Sequence, residues 1–242
     1  MKLKKLDSNG NYTLYPGLTV VAHVLEKDNA FWSKIYELVS NNDLLKEYYA
    51  PLPKTSYHMT TTNLFTEAAI GGKKWKPFVI NNNTYFQSLY EELQDQSFTP
   101  KILIKHVKVG YSISLSIHLT EEQKQIISNL AERFNVSNGV PNRFHITLAY
   151  QYKPISYYML KKIENELNSA LESLMHEYGE SFNLQSPKLC YFDDMLGFTP
   201  WDVSSFPFKD HPISKFYEHS LFATEQTSTE MQDKRFCPCT IL

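Results

Sequence analysis

Two short segments of the chain carry the same pattern of an aromatic residue, His, a hydrophobe and Thr. They are Tyr57-His58-Met59-Thr60 and Phe144-His145-Ile146-Thr147. Residues i and i+2 of a β-strand point to one face, so each segment would present an imidazole beside a hydroxyl, with Met59 and Ile146 toward the core. Two such strands side by side would surround one phosphate with two imidazoles and two hydroxyls. That set is sufficient for acid–base cleavage of a phosphodiester without a metal.

The bare pattern His-x-Thr has little specificity, because roughly one chance match is expected in a chain of this composition. A third match, His118-Leu119-Thr120, is followed by Glu121, Glu122 and Gln123 and by helical periodicity. Thr120 is therefore predicted to be the N-cap of a capping box, with no catalytic role. The other two matches lie in apolar, β-prone runs at 56–65 and 144–152, each preceded by a Pro-containing turn.

On these residues the chain resembles the 2H phosphoesterase superfamily, which is named after two His-x-Thr/Ser motifs on paired strands. Segments 15–20, 53–58 and 192–195, with Phe198, look like an uncharacterised branch of it, and the resemblance covers most of residues 12 to 202. The family usually has an apolar residue after the first motif's Thr. Thr61 departs from this, although a β-branched side chain suits a strand.

The resemblance implies an α+β fold, two-lobed and pseudo-symmetric, with antiparallel sheets lining a central cleft and helices outside. It also implies that His58 and His145 are catalytic and that Thr60 and Thr147 bind phosphate. One imidazole would take a proton from water while the other gives one to the departing ribose oxygen. The sequence does not decide which His is the base.

The expected activity is metal-independent hydrolysis of a 2′,3′-cyclic phosphate or a 2′-5′ linkage in a nucleotide or short RNA. One alternative is a non-catalytic nucleotide-binding sensor at a membrane. Another is an enzyme that degrades cyclic dinucleotides or 2′-5′ oligoadenylates and so counters immune signalling. Intact histidines and threonines in both motifs favour an enzyme over a sensor.

Composition narrows the class of protein further. With 242 residues, 42% of them hydrophobic, the chain can form one large domain. A net charge of −2 argues against a protein that grips many phosphates of a long nucleic acid. Neither His58 nor His145 lies in a metal-binding spacing such as His-x-His or His-Glu-x-x-His, so we expect no metal and no cofactor. We predict no stable protein partner.

Four further residues are candidates for substrate binding. Arg143 and Lys54 precede the two motif histidines and could assist phosphate binding. Phe198 and Trp201 follow the last predicted strand and could wall the pocket. Tyr150 is five residues past His145, so on a regular strand it would face away from the site.

Elements that could position both motifs recur in the two halves of the chain. In each half the pattern predicts strand, helix and motif strand. The predicted strands are 18–24, 56–65, 102–109, 112–117, 144–152 and 188–192. The predicted helices are a segment from Asn29 broken near 41–42, then 84–94, 121–134 and 155–178. Residues 67–84 are predicted to be irregular.

The last four residues, Cys239-Thr240-Ile241-Leu242, fit a C-a-a-X prenylation signal, with Cys237 as a second acylation site. We therefore divide the chain into a 2H phosphoesterase domain at 1–222 and a flexible tail at 223–242. A 2H domain with such a tail also resembles the cyclic-nucleotide phosphodiesterases of myelin. No secretory signal or membrane span is visible, so the expected location is cytoplasmic, on the cytosolic face of a membrane.

Overall fold

The computed structural model describes residues 4–201 and 206–208, in which nine strands form one antiparallel sheet. Most strands lie where alternating or continuous apolar patterns predict them. In chain order the strands are β1 (Gly17–His23), β2 (Tyr49–Pro51), β3 (His58–Thr66), β4 (Lys101–Val109), β5 (Ser112–His118), β6 (His145–Gln151), β7 (Ser181–Asn183), β8 (Lys188–Phe192) and β9 (Thr199–Pro200).

In the described residues, seven α-helices accompany the sheet. They are α1 (Asn29–Ser40), α2 (Asp43–Tyr48), α3 (Glu67–Ile70), α4 (Gly72–Asn81), α5 (Asn83–Asp95), α6 (Glu121–Arg133) and α7 (Tyr157–Tyr178). The predicted break near 41–42 is confirmed, because the Asn42 side chain caps α2 by accepting from the Leu45 amide. The predicted capping box at Thr120 and Gln123 is also present at the start of α6.

The prediction that residues 67–84 are irregular was wrong. The side chain of Thr66 accepts from the Ala69 amide and starts α3, and α4 then continues through Pro77. Helix α4 buries Trp75 and Val79 in an apolar cluster that α5 shares. Tertiary packing of this apolar face outweighs the Gly, Lys and Pro residues, which favour a loop.

The strand order is β7-β4-β5-β6-β3-β1-β8-β9, with β2 pairing with β6 beyond the point where β3 leaves it. The two motif strands, β3 and β6, are therefore neighbours at the centre. One apolar cluster joins β4, β5 and β6 to α1 and α7, and a second joins β1 and β8 to α4 and α5. The predicted α+β architecture with a helix-backed antiparallel sheet is confirmed, and the strands of both halves form one continuous sheet.

Candidate active site

Strands β3 and β6 bring the two motifs together. Met59 pairs with Ile146 in antiparallel register, and both side chains are fully buried. In an antiparallel pair, the residue before one partner lies opposite the residue after the other. His58 therefore lies beside Thr147, and Thr60 lies beside His145. All four side chains share the face opposite Met59 and Ile146, as the sequence predicts.

Both imidazoles are oriented by the same local hydrogen bond. The Nδ1 atom of His58 lies 2.6 Å from the carbonyl oxygen of Ser56, and that of His145 lies 3.2 Å from the carbonyl oxygen of Arg143. A carbonyl can only accept, so Nδ1 carries the proton in each neutral ring. Each Nε2 then remains as the acceptor, which is the tautomer that a general base needs.

The surroundings of His58 are aromatic. The ring centroid of Phe198 lies 4.1 Å from that of half-buried His58, and the ring centroid of His23 lies 5.7 Å away. His23 is directly opposite His58 in the pairing of β1 with β3. Phe192 stands behind Phe198 at 5.1 Å and packs directly against Gly17, where a Cβ would clash with its ring. Gly17 therefore lets the aromatic wall lie against β1.

The surroundings of His145 are polar and more open. His145 is exposed and pairs with Ser116 of β5, while Thr147 pairs with Ser114. Lys108 of β4 pairs with Ser114 and so projects from the same face. This side of the cleft therefore offers hydroxyls and a cation where the His58 side offers rings.

The pKa of His58 is lowered to about 3. The main cause is the exclusion of water from its ring, which disfavours the imidazolium form. The neighbouring charges of His23, His145 and Lys5 lower the pKa further, against the opposing hydrogen bond to Ser56. His58 is therefore neutral over the physiological range of pH.

The pKa of His145 is also lowered, first because surrounding protein atoms displace water from part of the ring. The hydrogen bond to Arg143 opposes this shift, while the charges of Lys5 and Lys108 add to it. The pKa of His23 is lowered as well, mainly by its removal from water.

His23, Lys5 and Tyr150 are among the cleft residues that escaped the sequence prediction. A β-bulge explains Tyr150, because Ser114 pairs with Thr147 but Ser112 pairs with Tyr150, which leaves one extra residue in β6. Tyr150 therefore shares the face of His145, and the expectation that it faces away was wrong. His23 and Lys5 lie in no motif, so only tertiary structure reveals them.

The other candidate residues fall in different places. Phe198 borders His58, as predicted. Trp201 is fully buried, with its ring centroid 5.3 Å from that of Phe86, so it does not line the cleft. Its backbone amide bonds to Leu189, and this pairing turns the side chain into the second apolar cluster. Cys237, Cys239 and the whole predicted tail lie outside the described residues.

The two cationic candidates differ in what holds them. The ammonium of Lys54 donates to Asn29 and, at 2.8 Å, to Ser33, so it ties the motif turn to α1. Lys54 therefore has a structural role, and its part in phosphate binding stays a prediction. Arg143 is exposed, and its backbone carbonyl orients His145.

The departure at Thr61 has a structural reason. Thr61 falls between the paired residues Thr60 and Thr62, where β3 bulges relative to β1. Its buried hydroxyl donates to the carbonyl of Val20 at 3.2 Å, so the polar group is satisfied.

Two further features bear on the nature of the site. Among residues 4–201 and 206–208, no three His, Cys, Asp or Glu side chains cluster as a metal site requires. A hollow of about 260 Å³ lies elsewhere, beside Tyr12, Tyr49 and Tyr152. The hydroxyls of these tyrosines all donate to backbone carbonyls, so these donors are already engaged within the fold.

Part of the chain matches the model of a known family. Residues 5–99 match the family 2H-phosphodiest, described as a domain of unknown function (DUF1868). The resemblance to 2H phosphoesterases that the motifs indicate is thereby confirmed, on the part of the chain that holds His58 and Thr60. The match supports a phosphodiesterase-type activity in general.

Individual relatives are distant. Uncharacterized protein 127L of Invertebrate iridescent virus 6 is 24% identical over 176 residues, which are 63% of this chain and 74% of the viral protein. A conserved protein of unknown function from Agrobacterium tumefaciens is 19% identical, with a TM-score of 0.65 over 82% of this chain and 89% of that chain. The two proteins share their fold.

A weaker structural similarity links the chain to LigT of E. coli in its apo form. The identity is 10%, with a TM-score of 0.44 over 78% of this chain and 96% of that chain.

None of the helices in the described part of the chain is long and apolar enough to cross a membrane.

Proposed function

We propose that the protein hydrolyses a phosphodiester in a nucleotide or short RNA, either a 2′,3′-cyclic phosphate or a 2′-5′ linkage. The observation that carries the proposal is the antiparallel register of β3 and β6, which puts two imidazoles and two threonine hydroxyls on one face. A binding module needs hydroxyls and cations for phosphate, but it does not need two imidazoles whose Nε2 atoms are both available for proton transfer.

The two histidines have different roles in this proposal. His58 is the general base, because its enclosure by Phe198 and His23 keeps it neutral. It takes a proton from water as the water oxygen attacks phosphorus. His145, on the open side, is the general acid and gives a proton to the ribose oxygen as the P–O bond breaks. The product is a phosphomonoester, and the two proton transfers balance.

Thr60 and Thr147 hold the non-bridging oxygens in the attacking geometry. Each hydroxyl lies beside the imidazole of the opposite motif, so both strands contact the phosphate symmetrically. Donors placed in advance around the developing charge stabilise the transition state without reorganisation. Phe198, above His58, supplies a surface against which the base of the nucleotide stacks.

The direct test is a screen of purified protein with product identification, carried out in EDTA. Substrates are 2′,3′-cyclic nucleotides, RNA ending in a cyclic phosphate, 2′-5′ oligoadenylates and cyclic dinucleotides. We expect turnover of at least one, and His58→Ala and His145→Ala should each lower it by about two to four decades. Thr60→Ala and Thr147→Ala should lower it less.

The chain offers a matched control in its third His-x-Thr segment. His118 is exposed and its segment caps α6, so His118→Ala should stay within about twofold of the wild type. Nucleotide binding without turnover of any substrate would favour the sensor. Activity lost in EDTA and restored by a divalent cation would favour a metal enzyme.

A further inference from the structure

The N-terminal segment forms a small, well-anchored turn. Leu6 bridges to Tyr12, and the Thr13 amide donates to the carbonyl of Lys5 at 3.1 Å. Inside the turn the Asp7 carboxylate accepts from two backbone amides, at 2.8 and 2.9 Å. Gly10, at φ +85°, makes the reversal with its Cα against the ring of Tyr152.

This turn is attached to the walls of the cleft. The hydroxyl of Tyr12 donates to the carbonyl of Ala50 on β2 at 2.8 Å. The Tyr15 amide donates at 2.7 Å to the carbonyl of Asp193, which begins the loop that carries Phe198. Leu6 is buried. The position of residue 5 is therefore set by contacts with both sides of the site.

Lys5 lies on the catalytic face of β6. Its ammonium donates to the hydroxyl of Tyr150 at 3.1 Å and lies 4.4 Å from the centroid of the same ring. The ammonium also lies 5.7 Å from the ring centroid of Tyr15. Because the β6 bulge turns Tyr150 toward this face, the Lys5 ammonium lies on the same face of β6 as Thr147 and His145. The charge of Lys5 lowers the pKa of both catalytic imidazoles, so Lys5 lies within electrostatic reach of each of them.

We propose that Lys5 is a third phosphate-binding residue of the site, held by Tyr150 so that its ammonium contacts a non-bridging oxygen of the substrate phosphate. This inference rests on the proposed function, since it takes that site to bind a phosphodiester. Lys5 belongs to neither motif, and its Tyr150 anchor lies on the same strand as His145 and Thr147. A cation there neutralises negative charge on the non-bridging phosphate oxygens that both threonines hold.

The test measures phosphate binding and catalysis separately. Inorganic phosphate is titrated into the full chain while the imidazole signals of His58 and His145 are followed by NMR. Lys5→Gln should weaken phosphate affinity about tenfold or more, the loss expected for a charge-assisted hydrogen bond. Lys5→Arg should retain most of it. Lys4→Gln, an exposed neighbouring lysine, is the matched control and should bind phosphate like the wild type.

Tyr150→Phe tests how Lys5 is positioned. It keeps the ring beneath the ammonium and removes the hydroxyl, so we expect a loss of phosphate affinity smaller than that of Lys5→Gln. With an active substrate, Lys5→Gln should raise KM more than it lowers kcat. Unfolding temperatures of all variants separate these effects from damage to the turn.

The proposal is overturned if Lys5→Gln binds phosphate as tightly as Lys4→Gln does. It is also overturned if Lys5→Gln and Lys5→Arg both lower the unfolding temperature without changing affinity, because Lys5 would then only support the turn. Should Lys5→Gln fail to fold, an unchanged affinity in Tyr150→Phe overturns it. Phosphate binding that depends on Lys5 without turnover of any substrate would instead contradict the hydrolase and leave the phosphate site standing.

Discussion

The two halves of the site share a backbone pattern and differ in what surrounds it. Each half contributes a strand with a His-x-Thr motif and an imidazole bonded through Nδ1 to the carbonyl two residues earlier. His58 is half-buried beside Phe198 and His23, whereas His145 is exposed beside serines and Lys108. The repeated backbone pattern therefore provides the pair of histidines, and unequal neighbours give each one its own protonation behaviour.

This difference has a chemical consequence. Acid–base cleavage needs one imidazole neutral and the other protonated at the same pH. Two identical environments would give identical pKa values and no preferred assignment. The aromatic enclosure of His58 breaks that equivalence and favours the assignment of His58 as base and His145 as acid.

The largest effect should come from changing the leaving group. Bis(p-nitrophenyl) phosphate releases a weakly basic phenolate that needs no proton. His145→Ala should therefore lose less than about tenfold on this diester, but about two to four decades on a cyclic nucleotide. His58→Ala should be severely impaired on both, since attack by water still needs a base. Rate constants for both substrates in both variants make the comparison, and the opposite pattern would exchange the two roles.

A smaller effect is expected from the aromatic wall. Phe198→Ala should raise KM for nucleotide substrates roughly tenfold, because stacking a base on an aromatic ring contributes about 1–3 kcal/mol. Phe198→Trp should retain most of the affinity. Tyr111→Ala removes an exposed ring away from the cleft and serves as the control. Equal KM changes for bis(p-nitrophenyl) phosphate and nucleotides would argue for general disturbance of the site instead of base stacking.

The smallest effect concerns pH. The free enzyme needs His58 neutral and His145 protonated, and the pKa of His145 lies below its ordinary value of 6.5. With the pKa of His58 at about 3, kcat/KM should be highest at a pH between the pKa values of His58 and His145. It should fall as the pH rises through the pKa of His145. His145→Ala should abolish that basic limb. The limbs belong to the coupled pair, so a limb centred above pH 6.5 would contradict the environment described for His145.

The sequence predicted the motif strands because their information is local. Alternation in 144–152 determines that His145 and Thr147 share a face, and burial of Met59 and Ile146 determines which face. Strand β8 and the capping box at Thr120 were likewise predicted from neighbouring residues alone. Helix α4 was missed because its Gly and Pro residues suggest a loop, and only packing of Trp75 and Val79 against α5 makes it helical.

The tertiary structure alone decided which residues complete the site. Tyr150 was assigned to the wrong face because a single extra residue in β6 reverses the alternation, and such a bulge depends on the pairing with β5. Trp201 was misplaced because its strand pairing turns it into the core.

By itself, the sequence determined the pair of histidines, the pair of threonines and the α+β architecture, because these depend on residue type and on the period of a strand. Lys5 and His23 approach those groups from distant parts of the chain, and no spacing along the sequence encodes their approach. Phe198 was a candidate from its place after the last predicted strand, but its contact with His58 depends on the fold. Their positions follow from the register of β1 with β3, the N-terminal turn and the loop after β8. The unequal environments of His58 and His145 are therefore a product of tertiary packing.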